Sequence, residues 1–179
     1  MVFSYKGWRS VFLFCFGLSL GAAFCMKWME TDFRINDSVF SIIGLEISYD
    51  KARVIEIFSQ LDEKVKTILS YHLYFDFAFM TGVYTGIASL CMMARYRVSN
   101  RFVRQLLLVL AILQGLAFGC DVRENLYLLS WLSEPVIGDE FGLYHTIVLL
   151  KWTLALAGVF LSVPLQFRKK AGGNEKTVF

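Results

Sequence analysis

Cys120-Asp121-Val122-Arg123-Glu124-Asn125 places two carboxylates and an amide inside a segment that is otherwise apolar, from Val103 to Leu113 before it and from Leu126 to Leu132 after it. Asp121, Glu124 and Asn125 are spaced i, i+3, i+4, so a helix presents them on one face, and Gln114 lies two turns earlier on the same stripe. Arg123 points elsewhere and can extend to a headgroup layer. Two other apolar segments carry one charge each, Asp76 and Lys151. Ionisable groups at membrane depth cost at least about 2.5–3.5 kcal/mol each, so they persist where something pairs or uses them. Three carboxylates against one lysine leave surplus negative charge. Either a carboxylate keeps a proton, or another cation supplies the balance: a metal, a proton or the head of a ligand. The candidate ligand-binding set is Asp76, Asp121, Glu124, Asn125, Lys151, Gln114, Tyr84 and His72. If chemistry occurs, Asp121 or Glu124 is the candidate general acid/base and Lys151 the charge stabiliser. Against this stands a purely structural role, in which Lys151 pairs with Asp76 or Asp121 and the amides fix helix register. His72, one turn outside Asp76, and His145 in the first turns of the last apolar segment could join the carboxylates at a metal. Their spacing matches no metal motif such as HExxH, so no metal and no cofactor is expected.

The elements that hold these groups follow from hydropathy. The 179 residues are 56% hydrophobic, with mean hydropathy +0.54, too apolar for a soluble domain of this size. The net charge of +3 is too weak to point to nucleic acid. Four spans are expected at about 10–28, 69–94, 102–132 and 141–167, in one domain over 1–170. The first resembles a signal peptide, but Phe24 before Cys25 makes a poor cleavage site, and Trp8 and Trp28 flank the run as interfacial anchors do. Lys6 and Arg9, the Arg95/Arg97/Arg101/Arg104 connection and Arg168-Lys169-Lys170 fall on one side of the spans. The acidic loop with Glu134, Asp139 and Glu140 and the mixed first loop fall on the other. Positive charge is retained inside, which puts both termini in the cytoplasm and the loop over 29–68 outside. The expected fold is therefore an all-α integral membrane four-helix bundle, in the plasma (inner) membrane, with a cytoplasmic tail disordered over 171–179.

The outer loop holds eight acidic and six basic residues between Lys27 and Lys66. A turn signal at Asn36-Asp37 allows a short hairpin. Val54, Ile57, Phe58, Leu61, Val65 and Ile68 recur at helical spacing behind Asp50 as N-cap. That pattern reads as a surface helix roofing the bundle, or as an extension of the second span. Three GxxxG pairs, Gly17/Gly21, Gly82/Gly86 and Gly115/Gly119, allow close helix contact, within a tight bundle, a homo-oligomer or a complex with another membrane protein. Gly115 and Gly119 lie well round the helix from Asp121, so that helix is expected to have two packed faces, one polar and one small. Cys15, Cys25, Cys91 and Cys120 read as buried small hydrophobes, with a Cys25–Cys120 disulfide left open.

Depth completes the sequence reading. At about 1.5 Å per residue, Asp76 lies roughly 10 Å and Lys151 roughly 15 Å from the outer ends of their spans. Asp121 is roughly 25 Å from the inner end of its own span. All three fall in the outer half or near the midplane. An Asp early in the second span, Asp-x-x-Glu-Asn in the third and a lysine in the fourth resemble small four-helix bacterial integral membrane proteins of uncharacterised function. Asp76, Asp121 to Asn125 and Lys151 carry the resemblance, with Gly44-Leu45-Glu46 as a further similarity; it implies no established activity. Three functions remain open. The protein handles a lipid or small amphiphile from the outer leaflet, or is an accessory subunit with a structural ion-pair network, or is a membrane enzyme using the carboxylates.

Overall fold

The computed structural model describes residues 4–35 and 38–167. Six α-helices follow in order: α1 Tyr5–Met29, α2 Ile42–Glu46, α3 Lys51–Gln60, α4 Glu63–Arg95, α5 Arg101–Ser133 and α6 Glu140–Gln166. Four of them, α1, α4, α5 and α6, are long and apolar enough to cross a membrane. The two long central helices have 33 residues each, about 50 Å at 1.5 Å per residue.

Short polar side chains set where the helices begin. Ser4 accepts from the Gly7 amide, Asp62 from the Val65 amide at 2.7 Å, and Asn100 from the amides of Phe102 and Val103. Each satisfies amide groups that a first turn leaves without partners. Hydroxyls inside the long helices bond back to their own backbone, as Ser19 does to Cys15, Thr81 to Phe77 and Thr153 to Leu149. They need no partner on another helix. The charged groups have no such local outlet.

α1 packs along α4, while α5 and α6 pack on α4 and on each other. Glycine decides the α1–α4 contact. A Cβ on Gly82 would stand 2.8 Å from the Cys15 carbonyl oxygen, and one on Gly86 would touch the Cys15 side chain. Gly17, Gly21, Gly115 and Gly119 instead have nothing within 4 Å of where a Cβ would lie. The small face expected on α5 is therefore unpacked within the chain. α6 instead closes on α4 and α5 through Gly158, which meets Ile87 and Gln114. All four cysteines are free thiols.

The outer segment folds as a cap. Strands β1 Arg34–Ile35 and β2 Ser38–Val39 pair antiparallel, with Arg34 opposite Val39. The Asn36-Asp37 turn between them lies outside the described residues, as does the tail over 171–179. α3 starts on Asp50, whose carboxylate accepts from the Arg53 amide. It ends at Leu61, which has extended backbone, and α4 restarts on Asp62. The apolar pattern thus divides between a separate roof helix and the first turns of α4. Phe33, Leu45, Val54, Phe58 and Leu61 form one core with Leu69 and Leu73 of α4, Leu128 and Trp131 of α5 and Tyr144 of α6.

Candidate functional site: a polar cluster under the cap

Lys151 is the centre of the site. It projects from α6, is 5% exposed, and its Nζ lies 2.7 Å from Asp121 Oδ1, 2.6 Å from Glu124 Oε2 and 3.2 Å from Glu46 Oε2. An ammonium has three protons, and two of them are donated to carboxylates, Asp121 and Glu46. The Glu124 contact is short but bent away from the hydrogen-bonding direction, and it acts as an ion pair rather than a directed bond. Asp121 and Glu124 come from one face of α5, as their spacing requires. The other oxygen of Asp121 accepts from the Tyr84 hydroxyl of α4 at 2.9 Å. Asn125, the third residue of the stripe, donates to Asp76 Oδ2 at 2.7 Å and to the Leu73 carbonyl. One network thus ties α4, α5 and α6 together.

Glu46 is the partner that the sequence reading left out of the site. It ends α2, which dips between the helices. The descent is marked from the connection before α6 down that helix: Lys51 donates to the Gly138 carbonyl, His145 bonds the Ser48 carbonyl, and Glu46 reaches Lys151. The only signal for it was the Gly44-Leu45-Glu46 similarity; a contact 105 positions apart has no periodicity to betray it. Burial pushes the Glu46 carboxyl above its ordinary range. The Lys151 ammonium opposes that shift, and the nearby Asp121 charge adds to it.

The remaining candidates divide. Gln114 is buried but points away from the cluster, donating to the carbonyls of Leu110 and Leu154. His145 is held by backbone carbonyls on both ring nitrogens and stacks on Tyr49. His72 is 1% exposed, tilts against Phe33, and neither ring nitrogen has a hydrogen-bond partner. Its Nε2 stands 3.9 Å from Glu30. Among the described residues no group of three His, Cys, Asp or Glu side chains stands ready to hold a metal ion.

A cavity of about 270 Å³ lies beside the network. Its upper end carries Lys27, Glu30, Glu46, His72, Asp76 and Lys151, with Asp121 and Tyr84 behind them. The rest of the lining is apolar: Ile42 and Ile43 from α2 beside Glu46, and, further from the cap along their helices than the charged groups, Ala23 and Met26 from α1, Phe79 and Val83 from α4, Trp152 and Ala155 from α6. The site can therefore pair a charged or hydrogen-bonding head with an apolar chain. Comparisons with family models, with curated proteins and with solved structures find no match to this chain.

Proposed function

We propose that this is an integral membrane protein that binds an amphiphile from the outer leaflet, polar head at the Lys151–carboxylate network and apolar tail between α1 and α6. One observation carries the reading: the cavity is polar at one end and apolar at the other, in the direction a bilayer would impose. Counting from the arginine connection at Arg95, Asp76 lies about 28 Å up α4, close to the thickness of a hydrocarbon core of about 30 Å. Asp121 lies about 25 Å above Arg104 by the same rule. With the arginines in the cytoplasm, the network lies in the outer part of the core, and the outer turns of α4 and α5 project beyond the lipid. Large apolar side chains such as Phe14, Phe24, Ile112 and Phe160 are two-thirds exposed or more, a surface that lipid covers and water does not. The volume is close to the lower limit of ligand pockets, about 300 Å³, which suits a head and the first part of one chain.

Native mass spectrometry of the chain released from mixed-lipid nanodiscs tests this. One amphiphile should stay bound per chain. It should be lost on Ala23→Phe, which fills the lower wall, and kept on Gly119→Leu, which extends into open space on α5. Equal retention by both variants would remove the cavity from the explanation.

A second reading, an accessory subunit, draws on the four glycines of α1 and α5 that face open space. It expects a stoichiometric partner or a second copy to be crosslinked through Gly17→Cys or Gly115→Cys. A purified chain that is monomeric and uncrosslinked in its own membrane would exclude it.

A further inference from the structure

Resting on the amphiphile reading, the charges identify the head. The network contains four carboxylates, Glu46, Asp76, Asp121 and Glu124, and a single ammonium, Lys151. The other cation lining the cavity, Lys27, is 82% exposed and paired with Glu30 at 2.6 Å. Lys151 is already engaged by three carboxylates, donating to Glu46 and Asp121 and ion-paired with Glu124. An anionic head would have to break that arrangement or enter beside surplus negative charge in a poorly solvated site, where both cost heavily.

The unfilled hydrogen-bonding capacity points the same way. Asp76 Oδ2 accepts from Asn125, but no bond reaches its Oδ1 among the described residues. His72, a turn away on the same face of α4, lines the cavity with both ring nitrogens unpartnered. Whichever nitrogen carries the hydrogen, the other is an acceptor. A buried acceptor without a donor is costly to leave. The positions that await a ligand therefore include two acceptors beside carboxyl groups, Asp76 Oδ1 and one nitrogen of His72, and these call for a cation that donates hydrogen bonds; the other His72 nitrogen is an unfilled donor.

We propose that the cavity takes the protonated primary amine of a single-chain amphiphile, its N–H groups donated to Asp76 Oδ1 and the acceptor nitrogen of His72, with the Glu46 and Asp121 carboxyl groups as neighbours. The chain then runs down between α1 and α6, along Phe79, Val83 and Ala155. A quaternary ammonium carries the same charge but no N–H, so it satisfies the charge and leaves both acceptors empty.

The test uses the full chain in phosphatidylcholine nanodiscs and four probes of one chain length: octylamine, octyltrimethylammonium, octanol and octanoate. The shift of the thermal unfolding midpoint with probe concentration is read, and the Ala23→Phe chain supplies the blank for partition into lipid. Octylamine should give a saturable shift, with octyltrimethylammonium at least about tenfold weaker, as loss of charge-assisted hydrogen bonds requires. Asp76→Asn should weaken octylamine about tenfold to a hundredfold, and His72→Phe should weaken it less. Should either variant fail to fold, the four-probe series on the natural chain still decides. Equal binding of octyltrimethylammonium would overturn the primary amine. Preference for octanol or octanoate would overturn the cation and leave the amphiphile reading standing. No saturable shift with any probe, or shifts that persist in Ala23→Phe, would overturn both.

Discussion

At the scale of single residues the network is asymmetric: one ammonium serves several acids. Removing Lys151 leaves Asp121, Glu124 and Glu46 facing each other with nothing between them, whereas neutralising one acid leaves the ammonium two partners. Lys151→Met should therefore cost about 3–5 kcal/mol, the usual range for breaking a buried pair. Asp121→Asn should cost much less. Combining the two should recover only part of the loss, because Glu46 and Glu124 still repel; unfolding the four chains in detergent and closing the double-mutant cycle measures the coupling. Full recovery would mean that Asp121 alone is the partner and that the short Glu124 and Glu46 contacts carry no energy. Glu46 adds a pH dependence. Its carboxyl is pushed up by burial, so the folded chain holds this proton more tightly than the unfolded chain, whose glutamates titrate near 4.5. The associated stability is present at and below that pH and declines as pH rises through the folded value. Glu46→Gln keeps the neutral form at every pH, and its unfolding midpoint should fall less steeply than that of the natural chain as pH is raised from 4.5. Parallel curves would show that Glu46 does not titrate with folding.

The helices show which sequence signals carry position and which carry only type. The caps Asp50, Asp62 and Asn100 precede their helices as capping chemistry requires, and the i, i+3, i+4 stripe of α5 delivers Asp121, Glu124 and Asn125 to one face. The break between α3 and α4 was hidden because Leu61 and Val65 continue the apolar period across it, and Leu61 stays buried while its backbone turns extended. The GxxxG pairs looked alike in sequence, yet only the one on α4 faces a neighbouring helix, since which side a helix packs depends on partners that lie far away in the chain. That difference can be measured. Gly82→Ala puts a methyl against the Cys15 carbonyl and the Ser19 hydroxyl. It should destabilise by about 1–3 kcal/mol, as overpacking does. Gly17→Ala and Gly115→Ala meet open space and should be neutral or slightly stabilising, since alanine loses less entropy in a helix. A loss at Gly17 or Gly115 equal to that at Gly82 would reveal a packed partner on the outer faces.

For the molecule as a whole, the arrangement of charge and the arrangement of cavities agree on one direction. The four long apolar helices were legible because apolar length is a one-dimensional property. The cap's descent to Lys151 was not, because Glu46 is stabilised only by residues that the folded bundle brings to it. Arg97, in the connection between α4 and α5, donates to the Tyr5 hydroxyl, so the start of α1 and the arginine connection share one end of the bundle. The cap and the acidic loop share the other, where Lys51 donates to the Gly138 carbonyl. If the arginine end is cytoplasmic, the polar head of the cavity opens at the outer leaflet; if the molecule is inverted, the same cavity would draw from the inner leaflet. Single cysteines in a chain lacking Cys15, Cys25, Cys91 and Cys120 decide between these. In intact cells, Ser59→Cys on α3, which is exposed, should react with a membrane-impermeant maleimide. Ser99→Cys, at an equally exposed position in the arginine connection, should react only after the membrane is opened. The reverse pattern would place the cap in the cytoplasm and with it the source of any ligand.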